Sequence, residues 1–322
     1  MNKRLDCIDA GSEYCPCYLA ETNECITCSQ LQGKNFCDCN WRGVCIYQQF
    51  VWSGFKRKSQ RNYMLVDILE KRNIGRNVLI LKLKTTTTMA RELEQPGSYI
   101  FMRNPEKPYY FDVPMSVLWA DKYEGYIEVA VQIVGSKTKQ LEECQKNVMI
   151  RGPYWNGIFG HRYLKLVKNS KCLIFVRGIA QAPGVLIAKK LKQANNKILM
   201  VVDPGKVSTN FMNEYIKDMN IEVIEIDLTS IKGQKISEQL IKDREVKLIF
   251  SGGSDRQHYN ILKMLNKHNH EAYLLVTNNN LICCGEGICG SCTVKLEDGK
   301  KVKSCKVQLD IWNDIERRVL HD

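Results

Sequence analysis

The sequence predicts a multidomain protein: a small antiparallel β-barrel followed by an α/β doubly wound domain, with a cysteine-rich segment at each end. Three observations support this prediction. Residues from about 60 to 165 alternate short β-rich runs with Gly and Pro turns. After residue 168, buried strand-like runs alternate with helical stretches, which is typical of a parallel sheet covered by helices. Eight of the fifteen cysteines lie before residue 46, and five lie between residues 283 and 305.

The composition is that of a folded globular protein. The chain has 322 residues, of which 44% are hydrophobic and 25% charged. It contains no apolar run of about 18 residues or more, so we expect no membrane span. Its beginning lacks an apolar secretory core, so we expect a cytoplasmic location. In a reducing compartment, clustered cysteines are more typical of metal binding or redox chemistry than of disulfides.

The net charge of +12 raises the question of an acidic partner. We expect no nucleic acid, because the chain has no zinc-finger helix, RNA-binding sheet motif or basic helix run. The densest basic stretch, residues 55–76, fits a solvated face or a surface that steers a small acidic electron carrier.

Residues 1–50 are predicted to form a cysteine-rich, metal-binding module. The stretch is polar and too short to build a core without a staple, and metal is the natural staple in a reducing compartment. Its spacing fits neither a bacterial ferredoxin run nor a standard zinc ribbon, so a second iron–sulfur cluster and structural zinc both remain open. The candidate ligands are Cys15, Cys17, Cys25, Cys28, Cys37, Cys39 and Cys45.

Residues 51–167 are predicted to form the antiparallel barrel. The β-rich runs are VLILKLKTT, GSYIFMRN, YIEVAVQIVG and VMIRGPYWNG. Residues 168–278 are predicted to form the α/β domain, whose strands are KCLIFVRG, KILMVVD, IEVIEID and VKLIFSGG. The segments between those strands carry helix formers with helical apolar spacing.

Residues 279–322 hold the most specific motif. The spacing Cys284-x4-Cys289-x2-Cys292-x12-Cys305 is that of plant-type [2Fe–2S] ligation, in which four thiolates hold two irons. Glycines between the ligands let a loop wrap closely around a cluster, and the Asp-Gly turn of TVKLEDGKKVKSC predicts a hairpin that returns Cys305 to the loop. Four cysteines also suit zinc, whose paired ligands more often take a C-x2-C spacing.

This order of barrel, α/β domain and cysteine motif resembles the ferredoxin-NADP reductase superfamily. Within it, the chain looks most like the electron-transfer subunit of type B dihydroorotate dehydrogenase and its relatives. The resemblance covers roughly residues 60–310 and leaves the N-terminal module outside. It implies FAD in the barrel, a nucleotide-binding α/β domain and a C-terminal [2Fe–2S] cluster.

The resemblance also suggests which barrel residues bind FAD. VPMSV at 113–117 stands where the family has Arg-Pro-x-Ser, although the arginine is absent and Lys137 or Arg103 would have to replace it. IVGSKTKQL at 133–141 resembles the segment that binds the FAD phosphates. The candidate FAD-binding residues are Pro114, Ser116, Gly135, Lys137 and Thr138.

Whether the α/β domain binds NAD(P)H stays open at this stage. VRGIAQAPG at 176–184 resembles the family's glycine-rich turn, but Arg177 and Gln181 replace glycines, and FSGGSD at 250–255 lacks the family's Cys-Gly-Pro. Asp203, at the end of the second predicted strand, could accept from a ribose hydroxyl and so favours NADH. The nearby Lys206 could meet a 2′-phosphate and so favours NADPH. The candidate nucleotide-binding residues are Gly178, Ala180, Pro183 and Asp203.

No side chains stand in a recognised catalytic spacing, which fits a protein whose chemistry belongs to its cofactors. The five histidines are predicted to lie mainly on the surface. We therefore expect an electron-transfer subunit that forms a hetero-oligomer with a catalytic partner subunit or serves a small acidic electron carrier. The alternative is a redox or scaffold subunit that binds no nicotinamide.

Overall fold

The computed structural model describes residues 5–320, except for the side chains of Asn313 and Leu320. The first four residues of the predicted 1–50 module and the last two of the 279–322 segment lie outside the described residues. The strands are β1 (Tyr63–Ile74), β2 (Val78–Lys84), β3 (Tyr99–Arg103), β4 (Val113–Asp121), β5 (Tyr126–Gln132), β6 (Asn147–Tyr154), β7 (Ile158–Phe159), β8 (Lys171–Arg177), β9 (Lys197–Asp203), β10 (Glu222–Glu225), β11 (Val246–Gly252), β12 (Tyr273–Thr277), β13 (Thr293–Lys295) and β14 (Lys301–Lys303).

The helices connect these strands and cover the second sheet. The α-helices are α1 (Tyr18–Glu21), α2 (Ile46–Trp52), α3 (Thr87–Leu93), α4 (Ser136–Glu142), α5 (Gln181–Gln193), α6 (Asn213–Ile216), α7 (Ile231–Ile241), α8 (Asp255–Lys267) and α9 (Ile311–Leu320). Among the described helices, none has the length and apolar character needed to cross a membrane.

Two compact units make up the described chain. The small unit contains residues 5–63 and 280–309, and the large unit contains residues 64–279 and 310–320. This grouping differs from the predicted one, because the two cysteine-rich ends share one unit and α9 joins the α/β domain.

The first part of the large unit is the predicted antiparallel barrel, which is confirmed. Six strands close in the order β1-β2-β5-β4-β3-β6. Their inward side chains form one apolar core, to which α3 adds Met89, Ala90 and Leu93. The side chain of Thr86 begins this helix by accepting a hydrogen bond from the Met89 N–H at 3.1 Å.

The second part is a six-stranded sheet in the order β10-β9-β8-β11-β12-β7. Five of its strands are parallel, as predicted for a doubly wound domain, whereas the edge strand β7 runs antiparallel to β12. The helix α5 is buried on most of its surface, because it packs on β8 and also on barrel strand β4. Barrel and sheet therefore share one apolar core in which Leu118 and Val185 both lie.

The small unit combines the cysteine-rich N-terminal residues with the C-terminal cysteine loop and the β13–β14 hairpin. An antiparallel bridge joins Cys7 to Val307, and the Ile8 N–H donates to the Lys306 carbonyl at 2.7 Å. The apolar core of the N-terminal part is small, and Leu31, Ile46 and Phe50 supply most of its bulk. A polar stretch of this size gains buried surface by packing with the C-terminal loop.

Candidate cofactor sites

The C-terminal cysteine loop, residues 280–292, contains no helix or strand. Gly285, Gly287 and Gly290 have φ angles of +71°, +78° and +82°, a region that other residues rarely enter. A Cβ atom at Gly287 would also lie 3.2 Å from Leu19 Cδ1 and 3.3 Å from Lys306 Cγ. The glycines are therefore required by the backbone angles and, at Gly287, by close packing.

The four predicted ligands, three in this loop and Cys305 after the hairpin, form two hydrogen-bonded pairs. The β13–β14 hairpin returns the chain so that Cys305 meets Cys292, and this hydrogen bond lowers the pKa of the Cys292 thiol to about 6. Burial raises the pKa of Cys289, but hydrogen bonds with Ser291 and Cys284 outweigh it and lower that pKa to about 7. Cys292 and Cys305 are buried, and Cys289 is exposed.

The four cysteines of these two pairs are the candidate ligands of an iron–sulfur centre. The Glu286 N–H donates to Cys284 Sγ at 3.3 Å, and N–H groups near cluster sulfurs help to set a reduction potential. Within residues 5–320, no three His, Cys, Asp or Glu side chains are already grouped as ligands around one metal position. The ligand set is therefore a proposal that the loop geometry supports.

The N-terminal cysteines also approach one another. The Cys28 N–H donates to Cys25 Sγ at 3.4 Å, and both residues pack with Cys15 in the small apolar core. Cys39 hydrogen-bonds with Cys37 and lies within electrostatic reach of Cys28. Cys15, Cys25 and Cys28 are therefore neighbours in one core, and Cys39 lies near Cys28.

Four charged side chains are buried between the N-terminal residues and the cysteine loop. Arg61 donates to both carboxylate oxygens of Asp9 at 3.0 and 3.1 Å and lies 3.4 Å from Glu286 Oε2. Lys306 Nζ pairs with Asp9 and lies 3.0 Å from the same Glu286 oxygen. We call these four residues the buried charge cluster.

The buried charge cluster stays ionised because its members neutralise one another. Burial alone lowers the pKa of Lys306, but the carboxylates of Asp9 and Glu286 outweigh it and hold that pKa well above its ordinary value. Burial likewise raises the pKa of Asp9, and Lys306 and Arg61 reverse the shift. Glu286 lies between Cys284 and Cys289 in the sequence, so the cluster fixes the middle of the cysteine loop.

The predicted FAD residues lie at two places on the barrel. Pro114 and Ser116 are half-buried in β4, opposite Phe101 and Tyr99 of β3. Gly135 caps α4, and the Thr138 hydroxyl accepts from the Gly135 N–H at 3.2 Å.

Lys137 links these two places, since its ammonium donates to the Asp112 carbonyl, just before β4, at 3.0 Å. The predicted cation is thus brought next to the Pro-x-Ser segment.

Arg151 is a further candidate that the sequence motif did not single out. Its Nη2 lies 3.7 Å from Asp112 Oδ2, and its guanidinium stacks 4.6 Å from the Phe101 ring centroid. Arg103 Nε lies 3.2 Å from the other Asp112 oxygen. Three cations therefore surround one acid here, which fits the binding of an anionic pyrophosphate. The signal available in the sequence was the arginine of RGPYW, on the strand that pairs with β3.

The predicted nucleotide turn follows β8. Gly178 adopts a φ of +59° and begins a 3-10 turn that includes Ala180, and Pro183 lies in the first turn of α5, where a proline is tolerated. The side chain of Gln181 is fully buried. Its amide donates to the Thr209 carbonyl and accepts from the Phe211 N–H, both at 3.0 Å, so its polar atoms are satisfied inside the domain. Gln181 thus occupies a structural position in the turn.

Asp203 was predicted to accept a hydrogen bond from a ribose hydroxyl. Strand pairing places it beside Arg177, whose Nε lies 2.6 Å from Asp203 Oδ2. The same carboxylate accepts from the N–H groups of Gly205 at 2.8 Å and Leu228 at 3.0 Å. The acid therefore already has three donors within the domain.

Two histidines contradict the surface prediction, because His258 is fully buried and His270 nearly so. His258 Nδ1 hydrogen-bonds Ser251 Oγ at 2.8 Å, and its Nε2 hydrogen-bonds Thr277 Oγ1 at 3.0 Å. These partners belong to β11 and β12, so the imidazole joins two strand ends. Sequence spacing missed the site because the three residues meet only through the sheet.

The buried His258 should make the free energy of unfolding depend on pH. Burial lowers its pKa to about 3, whereas an unfolded histidine titrates near 6.5. As pH falls below about 6.5 only the unfolded state takes up this proton, so the free energy of unfolding should drop by about 1.4 kcal/mol per pH unit from this group. Urea denaturation should show that the free energy of unfolding falls between pH 7 and pH 5 by about 2 kcal/mol less in His258→Gln than in the unaltered protein. Equal falls in the two proteins would contradict the assignment.

The large unit defines a class of fold, that of the ferredoxin reductases. The chain matches a solved structure of the NADH-dependent reduced ferredoxin-NADP oxidoreductase with a TM-score of 0.58 and 21% identity, over 80% of this chain and 94% of the other. It matches the ferredoxin reductase of carbazole 1,9a-dioxygenase with a TM-score of 0.52 and 15% identity, over 66% and 69% of the two chains. No protein-family model matches the chain.

Among curated proteins, the chain is similar to electron-transfer subunits of dihydroorotate dehydrogenase B (NAD(+)). The subunit of Clostridium acetobutylicum is 24% identical over 66% of this chain and 82% of its own length. The probable subunit of Thermococcus kodakarensis is 24% identical over 72% of this chain and 91% of its own. The predicted resemblance is therefore confirmed.

Proposed function

We propose that the chain is an iron–sulfur flavoprotein electron-transfer subunit. It would pass electrons between NAD(P)H, FAD and a [2Fe–2S] cluster, to or from a partner protein. The partner is a catalytic subunit in a hetero-oligomer or a small acidic electron carrier, and the compartment is the cytoplasm. Similarity to electron-transfer subunits and the ferredoxin-reductase fold support this proposal.

The observation that carries the proposal is the C-terminal loop. Cys284 and Cys289 form one hydrogen-bonded pair, and Cys292 and Cys305 form the other, in a loop with three left-handed glycines. Such a loop suits a cluster that accepts one electron at a time. It occurs in a chain whose other unit has the fold of flavin-dependent reductases.

The barrel residues would hold the flavin, which accepts two electrons and releases them singly. Arg103, Arg151 and Lys137 would offset the pyrophosphate charge around Asp112. Pro114 and Ser116 would contact the flavin from β4, and the Gly135–Thr138 turn would offer its backbone to a phosphate. The separate cations replace the single arginine that the family motif would have provided.

The N-terminal cysteines are proposed as a second metal site of this subunit. Cys15 packs with the Cys25–Cys28 pair in one small core, and the module is small enough to depend on a staple. Iron–sulfur ligation and zinc both satisfy this requirement.

A subunit that binds no nicotinamide is the second candidate. The buried Gln181 replaces a glycine where a dinucleotide backbone would approach, and the Asp203 carboxylate is already bonded to Arg177. Both observations favour a domain retained as a scaffold, since folds host many functions.

Measurements on anaerobically purified protein distinguish the electron-transfer subunit from the subunit that binds no nicotinamide. We expect flavin absorption, about two irons per C-terminal cluster, and bleaching of the flavin bands when NADH or NADPH is mixed in a stopped-flow instrument. Bleaching by neither nucleotide would favour the scaffold candidate. Protein that lacks both flavin and iron after anaerobic reconstitution would overturn both. Full-rate reduction of an organic substrate by the chain alone would contradict its role as a subunit.

A further inference from the structure

We infer that the N-terminal cysteines hold a redox-active iron–sulfur centre that exchanges single electrons with the C-terminal cluster. This inference rests on the proposed function and extends it, because it chooses iron over zinc and adds a second centre to the electron path. The proposed ligands are Cys15, Cys25, Cys28 and Cys39.

The four thiols form a continuous chain of neighbours. Cys15 and Cys25 lie within electrostatic reach of each other, Cys25 accepts from the Cys28 N–H at 3.4 Å, and Cys28 lies near Cys39. Three of the four pack in the same small apolar core, where unpaired thiols alone would contribute little bulk. Cys17 also lies within electrostatic reach of Cys15 and Cys25, but it borders the buried charge cluster through Lys306, Asp9 and Glu286. Cys45 is exposed at the start of α2, and both cysteines stand outside this set.

Backbone N–H groups point at these sulfurs. Cys15 accepts from Gly11, Cys25 accepts from Thr27 and Cys28, and Cys39 accepts from Trp41. N–H groups beside cluster sulfurs help to set a reduction potential. Gly43 lets the chain pass close to the Trp41 ring, since a Cβ atom at residue 43 would lie 2.4 Å from that ring.

The module lies directly against the C-terminal loop. Gly287 approaches Leu19 of α1, two residues after Cys17, so closely that its missing Cβ would lie 3.2 Å away. The bridge between Cys7 and Val307 adds a second contact, two residues from Cys305. Arg61 and Lys306 then tie Asp9 to Glu286 inside the loop.

This adjacency is the reason to choose iron. Structural zinc needs only its own four ligands and can staple a module anywhere on a protein surface. Here, both sets of thiols belong to one unit, and the N-terminal residues contact the C-terminal loop at Gly287 and through the buried charge cluster. That placement suits two centres between which electrons pass, and soft thiolate sets accept iron–sulfur clusters as readily as zinc.

The redox step is a one-electron exchange. The reduced C-terminal cluster loses one electron and is oxidised, and the oxidised N-terminal centre gains that electron and is reduced. No bond to carbon forms or breaks and no proton has to move. The electron comes from reduced flavin in the working protein and from dithionite in the test.

Metal and sulfide analysis of the full chain, purified anaerobically, tests the inference. We expect at least about four irons per chain with matching acid-labile sulfide and less than about 0.1 zinc. The double variant Cys25→Ser/Cys28→Ser should lose the additional iron, keep about two irons and keep its FAD. Cys283→Ser, an exposed thiol of the same unit that belongs to neither ligand set, should match the unaltered chain.

Electron paramagnetic resonance of dithionite-reduced protein tests the coupling. Two reduced centres in one small unit should broaden each other's signals, and the C-terminal signal should sharpen in Cys25→Ser/Cys28→Ser. About one zinc beside two irons in the unaltered chain, or a C-terminal signal that the double variant leaves unchanged, would overturn the inference. Absence of the C-terminal cluster itself would instead contradict the proposed function, so the two failures are distinguishable.

Discussion

Cys284→Ser is expected to remove the C-terminal cluster while the flavin stays bound. A serine hydroxyl replaces a thiolate that pairs with Cys289 and accepts the Glu286 N–H, so one of four iron bonds is lost. The variant should lose about two irons per chain and the visible absorption of the cluster. FAD content should not change, because the barrel belongs to the other unit. Iron analysis and absorption spectra measure both quantities.

The neighbouring Cys283 supplies a matched control. It is exposed and falls outside the plant-type spacing, so Cys283→Ser should keep its iron. If Cys283→Ser lost the cluster and Cys284→Ser retained it, the ligand register would be wrong by one residue. Retention by both variants would remove Cys284 from the ligand set altogether.

Arg61→Met is expected to destabilise the small unit by about 3–5 kcal/mol, the usual cost of removing one partner of a buried ion pair. The side chain of Arg61 is 0% exposed and that of Asp9 is 4% exposed, so water cannot solvate what remains. The variant leaves two carboxylates facing the single ammonium of Lys306. Denaturant unfolding followed by the fluorescence of Trp41 and Trp52 measures the change.

Arg57→Met is the control for this prediction. Both arginines stack on a tyrosine ring, Arg61 on Tyr14 and Arg57 on Tyr18. Arg57 likewise pairs with a carboxylate, that of Glu21 at 3.1 Å, but its side chain is 38% exposed. Exposed ion pairs contribute little to stability, so this variant should unfold almost as the unaltered chain does. Equal effects of the two substitutions would show that burial does not decide the strength of these pairs.

Much of the fold could be predicted because its signals are local. Alternating β-rich runs indicated the barrel, and alternating strands and helices indicated the α/β sheet. The edge strand β7 was missed because two residues, Ile158 and Phe159, give no periodicity to detect. The burial of His258 was missed for a related reason, since Ser251 and Thr277 reach it only when β11 and β12 lie side by side.

The candidate sites divide in the same way. Cysteine spacing and the glycines between the cysteines can be read along the chain, and they sufficed to predict a closely wrapped loop and a returning hairpin. The buried charge cluster and the pairing of Arg151 with Asp112 could not be predicted, since these partners are chosen by packing. Arg61 is 225 residues from Glu286, and Lys306 is 297 residues from Asp9.

By itself, the sequence determined the order of barrel and α/β sheet, the cysteine spacing of the C-terminal loop and the presence of glycines in it. These features depend on neighbours along the chain, where geometry is set within a few residues. Only the tertiary structure decided that the two cysteine-rich ends form one unit, that Asp203 is bonded to Arg177, and that four charges are buried together. Each of these three features depends on which distant segments of the chain pack together and exclude water. No local pattern of residues encodes which segments pack together.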